Sequence, residues 1–157
     1  MWKVETLSLL FVPPAKGGGM EIIMTINTFK NYLDEPYALS FDQMQSLHQE
    51  MLDEIGNDPD AEELYADLVR VATKYAAIRA SWQQMSREDK MDKDPLRTSN
   101  HNSVITHFNM LARYLRMQGK KAEWRERLGY EEDNKYYRKT IGDFGCYIVF
   151  VNSICAR

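Results

Sequence analysis

The sequence predicts an all-α fold, a mostly antiparallel bundle of four main helices with one or two short ones. Three observations predict it. Apolar residues recur at spacings of three and four after residue 40, helix-opening residues precede the runs, and Gly56, Gly119 and Gly129 close three of them. A length of 157 residues suits one domain with one core, and a chain 44% apolar and 27% charged has a globular composition.

The first helix is announced at Ser40-x-x-Gln43, a capping box in which the serine oxygen accepts from the third helical amide and the glutamine reaches back. Leu39 and Met44 stand where a hydrophobic staple needs them. Phe41, Met44, Leu47, Met51 and Ile55 form one face, and Gly56 ends it. Asp58-Pro59 opens the second helix, with Asp as cap and Pro where a missing N–H costs nothing. Its seam reads Leu64, Leu68, Val71, Tyr75, Ile78, Trp82, Met85, alternating four and three, with Ala72, Ala76, Ala77 and Ala80 beside it.

Asp94-Pro95 repeats the Asp-Pro opening, so the third helix is expected from there to Gln118, with His101, Val104, Phe108, Leu111 and Leu115 inward. A short helix is expected around Lys121–Leu128. The last segment, Asn134 to Cys155, fits a helix through Tyr137, Ile141, Phe144, Ile148, Val151 and Cys155, although Cys146–Val151 also has strand composition. A lone strand would bury unpaired backbone, which favours a buried helix whose Gly142 and Gly145 admit a close neighbour. A short helix is also expected at Thr28–Leu33.

Residues 1–19 are set apart as a disordered or non-native N-terminal extension, leaving 20–157 as a single helical-bundle domain. Lys16-Gly17-Gly18-Gly19-Met20 is what an in-frame ribosome-binding site before a start codon would encode. The apolar run Leu7–Val12 is too short for an export signal, and no run approaches the length of a membrane span. Cys146 and Cys155 form no CxxC pair and read as core, so a cytoplasmic, reducing setting is expected.

The formal net charge is −3, which argues against a nucleic-acid partner. Charge is uneven. Residues 31–70 carry eleven acids and one base, a net of −10, whereas residues 95–122 carry five bases and no acid. Helix faces packed side by side explain this division, and so does a dipolar molecule offering its basic side to a partner or a second copy.

No GxSxG, Walker-type loop, HExxH or GxGxxG occurs, and no catalytic residue and no cofactor are assigned. The Glu-x-x-His pattern of metal-binding bundles is missing before His48, His101 and His107. A metal site from His48 and Glu50 of the first helix with His101 of the third is a lesser reading beside a buried, hydrogen-bonded His101. Acids at Glu50, Asp53, Glu54, Glu63 and Asp67 loosely match a Mg²⁺-phosphate arrangement but suit a solvated face better. Two constellations remain. Arg97, Asn100 and His101 lie in a polar run unusual inside a helix and mark a candidate pocket. Trp124, Tyr136 and Arg138 belong to an aromatic and basic cluster, a candidate interaction surface. The expected function is binding, to an unidentified protein or to itself as a homodimer. The alternative is a metal-dependent or hydrolytic enzyme with a site near Arg97, His101 and the acidic first helix.

Overall fold

The computed structural model describes residues 38–129 and 135–155, with side chains described for 138–153 of the second stretch. The expected extension at 1–19 and short helix at 28–33 lie outside them. Five helices follow in order: α1 (Phe41–Ile55), α2 (Pro59–Trp82), α3 (Arg87–Met117), the short α4 (Glu123–Arg127) and α5 (Lys135–Cys155). Among the described residues there is no strand, and Cys146–Val151 is helical.

The predicted caps set the starts of α1 and α2. Ser40 accepts from the Gln43 amide and Gln43 accepts from the Ser40 amide, completing the capping box. Asp58 accepts from the amides of Asp60 and Ala61, ahead of Pro59 at the first helical position. Gly56 adopts φ +52°, a conformation that glycine takes without a Cβ clash.

The start of α3 differs from expectation. The helix begins at Arg87, under a Ser86 side chain that accepts from the Asp89 amide, and Pro95 lies in its interior. The two Asp-Pro pairs diverge because Asp58 caps, whereas Asp94 is engaged by Arg97 at 3.3 Å one turn on. Pro95 removes the bond to the Met91 carbonyl, but Met91 is 71% exposed, so water can replace that donor.

The buried face of α2 also differs. Its core line is Ala61, Tyr65, Leu68, Ala72, Tyr75, Ala76 and Arg79. Leu68 and Tyr75 belong to the predicted seam, but Leu64, Val71, Ile78 and Trp82 are half-buried flanks. Ala72 and Ala76 within this line let α3 and α5 approach α2 closely from both sides. Gly145 of α5 shows this packing: a Cβ there would lie 3.2 Å from Val104 Cγ1 and 3.9 Å from the Ala72 Cβ.

Contacts give the directions. Along α2 and α3, Asp58 meets Tyr114, Tyr75 meets His101 and Trp82 meets Arg97, so the pair is antiparallel. Along α2 and α5, Tyr65 meets Asn152 and Arg79 meets Asp143, again antiparallel. This pairing lays the acidic start of α2 beside the basic end of α3. Helix α5 is buried from Thr140 through Val151, apolar almost all round as its sequence implies. The short α4 lacks a side-chain cap, and Glu54 of α1 supplies one by accepting from the Ala122 amide and Trp124 Nε1. No helix among the described residues is long and apolar enough to cross a membrane.

Candidate functional site

Where the C-terminal half of α2, the N-terminal half of α3 and the start of α5 converge, they enclose a cavity of about 300 Å³. Helix α2 contributes Tyr75 and Arg79, α3 contributes Arg97, Thr98 and His101, and α5 contributes Arg138 and Lys139. Four of these seven side chains are cations. Among the described residues the buried carboxylate beside them is Asp143, which accepts from Arg79 Nη1 at 2.8 Å and stands 3.7 Å from Lys139 Nζ. Asp143 is fully buried and also accepts from the Ala38 amide. Near the solvent edge, Asp94 is paired with Arg97.

Each charge is held by its helix for a stated reason. Arg79 follows Tyr75 by one turn on the buried line of α2, so its guanidinium enters the interior and lies 5.8 Å from the Tyr75 ring centroid. Arg97 lies 4.4 Å over the Trp82 ring, a cation–π contact that lays the guanidinium along the cavity wall. Its Nε is buried with no hydrogen-bond partner among the described residues. Such an orphan donor costs about 1–3 kcal/mol until something accepts from it. Arg138 is fixed by donating to Asn102 Oδ1 at 2.8 Å and to His101 Nδ1 at 3.3 Å.

His101 is committed at both nitrogens. Nε2 lies 2.8 Å from the Arg138 carbonyl, which can only accept, so Nε2 carries the proton and Nδ1 presents its lone pair to the Arg138 guanidinium. Burial, reinforced by Arg138, Arg79 and Arg97, pulls its pKa down to about 4 and outweighs the Arg138 carbonyl that favours the charged form. The ring is therefore neutral at pH 7. Burial also pushes Tyr75 up to about 12, keeping its hydroxyl protonated. Gly142 forms the wall behind both rings. A Cβ there would fall 2.9 Å from His101 Nε2 and 3.0 Å from the Tyr75 hydroxyl.

Comparison with protein-family models, curated proteins and solved structures returns no match. The functional reading of this chain therefore rests on the geometry of its own residues.

Of the sequence-predicted site residues, Arg97 and His101 meet in this cavity, and Asn100 is not among its lining. Trp124 cannot belong to an interaction surface: it is completely buried against Phe108, with Nε1 on Glu54. An indole at the mouth of a short helix has too much apolar area to leave in water once Glu54 satisfies its N–H. Arg138 joins the cavity instead, and the Tyr136 side chain lies outside the described residues.

The three-residue metal set does not assemble. His48 lies on α1, where Nε2 is 2.7 Å from the Tyr65 hydroxyl, and burial pulls its pKa down to about 4. Glu50 pairs with Arg127, while His101 is held by Arg138. No cluster of three metal-ligating side chains occurs among the described residues. The acids considered for Mg²⁺ are spent locally as well: Glu54 caps α4, Asp53 accepts from Gln49, and Asp67 pairs with Arg70.

Arg79 and Asp143 escaped the sequence reading. A signal existed for Asp143, a lone acid inside an otherwise apolar helix, which demands a buried cationic partner. Arg79 among alanines was that partner, but only the crossing of α2 with α5 pairs them.

Proposed function

We propose that this protein acts by binding, and that its α2–α3–α5 cavity receives the anionic group of a small ligand. One observation carries the reading. Arg79, Arg97, Arg138 and Lys139 all line the cavity, and Arg97 Nε is buried there with no acceptor among the described residues. The start of α5 adds to this. Helix N-termini favour negative charge, yet the first turn of α5 holds no acid, and Arg138 and Lys139 stand close by. A bound anion would relieve that mutual repulsion.

Binding is favoured over hydrolysis by the state of His101. A general base needs a nitrogen that can take a proton from substrate. Here Nε2 already carries one, and Nδ1 faces an arginine that opposes protonation. The test is thermal unfolding of protein purified without phosphate or sulfate, titrated with small anions. An anion at 100 times its Kd adds about 2.7 kcal/mol, a rise of roughly 5–11 °C for a chain of this size. An equal response from wild type and Arg97→Ala would defeat the reading.

Self-association draws on a different face. Met110 and Met117 are one heptad apart on α3, 41% and 74% exposed, near basic Arg113. A second copy could bring its acidic α1–α2 edge to that surface. Light scattering of wild type and Met117→Glu tests it; equal monomer masses remove it.

A further inference from the structure

Resting on the reading that this cavity receives an anion, we infer that Asp94 is an intramolecular competitor for that anion. Its carboxylate occupies one prong of the Arg97 donor fork, and an oxyanion that binds through both prongs must displace it. Asp94 is thereby a specificity-determining residue of the site, which holds Arg97 in place when the cavity is empty and lowers the affinity for what enters.

The fork is half used. In a guanidinium, Nε and Nη2 present N–H groups side by side, at a spacing that matches two oxygens of one carboxylate, sulfate or phosphate group. Arg97 Nη2 donates to Asp94 Oδ1 at 3.3 Å, while Nε is buried with no acceptor among the described residues. Asp94 stands three residues back on the same helix, and from there it engages Nη2 and leaves Nε bare. The guanidinium lies 4.4 Å over the Trp82 ring, and this stacking fixes the plane in which a second acceptor has to arrive.

The Asp94 contact is weak, so it can yield. At 3.3 Å it is longer than the usual charge-assisted bond. The Asp94 side chain is 54% exposed and that of Arg97 35%, so water competes for both, and such pairs add little to stability. Asp94 also directly precedes Pro95, where the helical ladder of α3 loses a bond, and residues 91–96 are all exposed. Its carboxylate can turn into solvent without breaking a buried contact. Asp143 behaves differently. It is fully buried and accepts from Arg79 at 2.8 Å, so it is a fixed counter-charge, whereas Asp94 is a displaceable one.

Sulfate is a suitable probe, because it offers several oxygens and keeps its charge across the pH range in which the protein is folded. Sulfate titrations at constant ionic strength, followed at the Arg97 Nε–H cross-peak in proton–nitrogen NMR spectra, give dissociation constants for wild type, Asp94→Ala and Asp92→Ala. Arg97→Ala removes that cross-peak and so identifies it. Asp94→Ala should bind sulfate roughly 1.5- to 5-fold more tightly than wild type, the range open to release of an exposed ion pair. Asp92→Ala takes the same charge from the same exposed stretch of α3 and should leave the affinity unchanged. Both variants should unfold in urea at the wild-type midpoint. Equal sulfate affinity in wild type and Asp94→Ala would overturn the competitor inference and leave the anion reading standing. An equal gain from Asp92→Ala would show an effect of net charge alone and would likewise refute competition at the fork. A cross-peak that sulfate shifts in none of these proteins would bring down the anion reading and the inference with it.

Discussion

Asp143→Ala is the most revealing single change, because among the described residues Asp143 is the one buried acid beside the cationic cavity wall. The wild-type carboxylate has no solvent exposure, accepts from Arg79 at 2.8 Å and takes the Ala38 amide. The side chain of Arg79 is only 6% exposed. Removing the acid breaks a buried ion pair on one side, which costs about 3–5 kcal/mol. Lys139 offers no relief, since it is a second cation. The loss is a large share of the roughly 5–15 kcal/mol that holds a typical domain together. Urea unfolding followed at 222 nm should show the midpoint falling by about 1–5 M, for a slope of about 1–3 kcal/mol/M. Asp143→Asn keeps the shape and an acceptor and should lose clearly less. In the double variant Arg79→Met, Asp143→Leu, where no charge is stranded, most of the loss should be recovered. An Asp143→Ala midpoint indistinguishable from wild type, or a double variant no better than the sum of the singles, would refute the buried-pair argument.

Acid should weaken the fold through the two buried histidines. His48 and His101 have folded pKa values of about 4 against 6.5. The unfolded chain therefore binds more protons between pH 6.5 and 4, and stability, fully present above 6.5, falls across that window. His48→Gln should flatten the decline in chemical-denaturation curves collected from pH 7 to 4. Gly142→Ala should gain up to about 1 kcal/mol of helix propensity but displace His101 and Tyr75 into the cavity. Anion affinity should then drop more than stability does, and calorimetry showing unchanged affinity would contradict the close approach seen at that glycine. Glu54→Ala strands the Trp124 N–H and the Ala122 amide, so it should cost about 1–3 kcal/mol. Trp124 emission should shift to the red as the short helix loosens. Asp58→Ala should cost about 1–2 kcal/mol by removing the α2 cap and the acceptor of the Tyr114 hydroxyl, measurable by the same urea assay.

Much of the fold was legible in the sequence because its causes are local. A serine three residues before a glutamine, an aspartate before a proline and a glycine after an apolar run act through neighbours a few bonds away. The starts of α1 and α2 and the ends of α1, α3 and α4 therefore follow from reading along the chain. The helical state of Cys146–Val151 follows too, since a buried strand would have had nothing to pair with. What local signals could not supply is the competition among elements. The Asp94-Pro95 pair looks like a cap, yet Ser86 caps α3 eight residues earlier, because water can satisfy the carbonyl that Pro95 abandons. The apolar seam of α2 looks dominant, yet only Leu68 and Tyr75 of it are buried, on a line shared with Tyr65, Ala72, Ala76 and Arg79, because two helices press on α2 at once. At the candidate site the same division holds. Composition marked Arg97 and His101 as unusual within their helix. That they face Arg79, Arg138 and Lys139, with Asp143 behind them, depends on side chains up to 64 residues apart in the chain meeting at a three-helix crossing. Charge sequestered in a low-dielectric interior is set by which helices cross and where, and that is decided by tertiary packing alone.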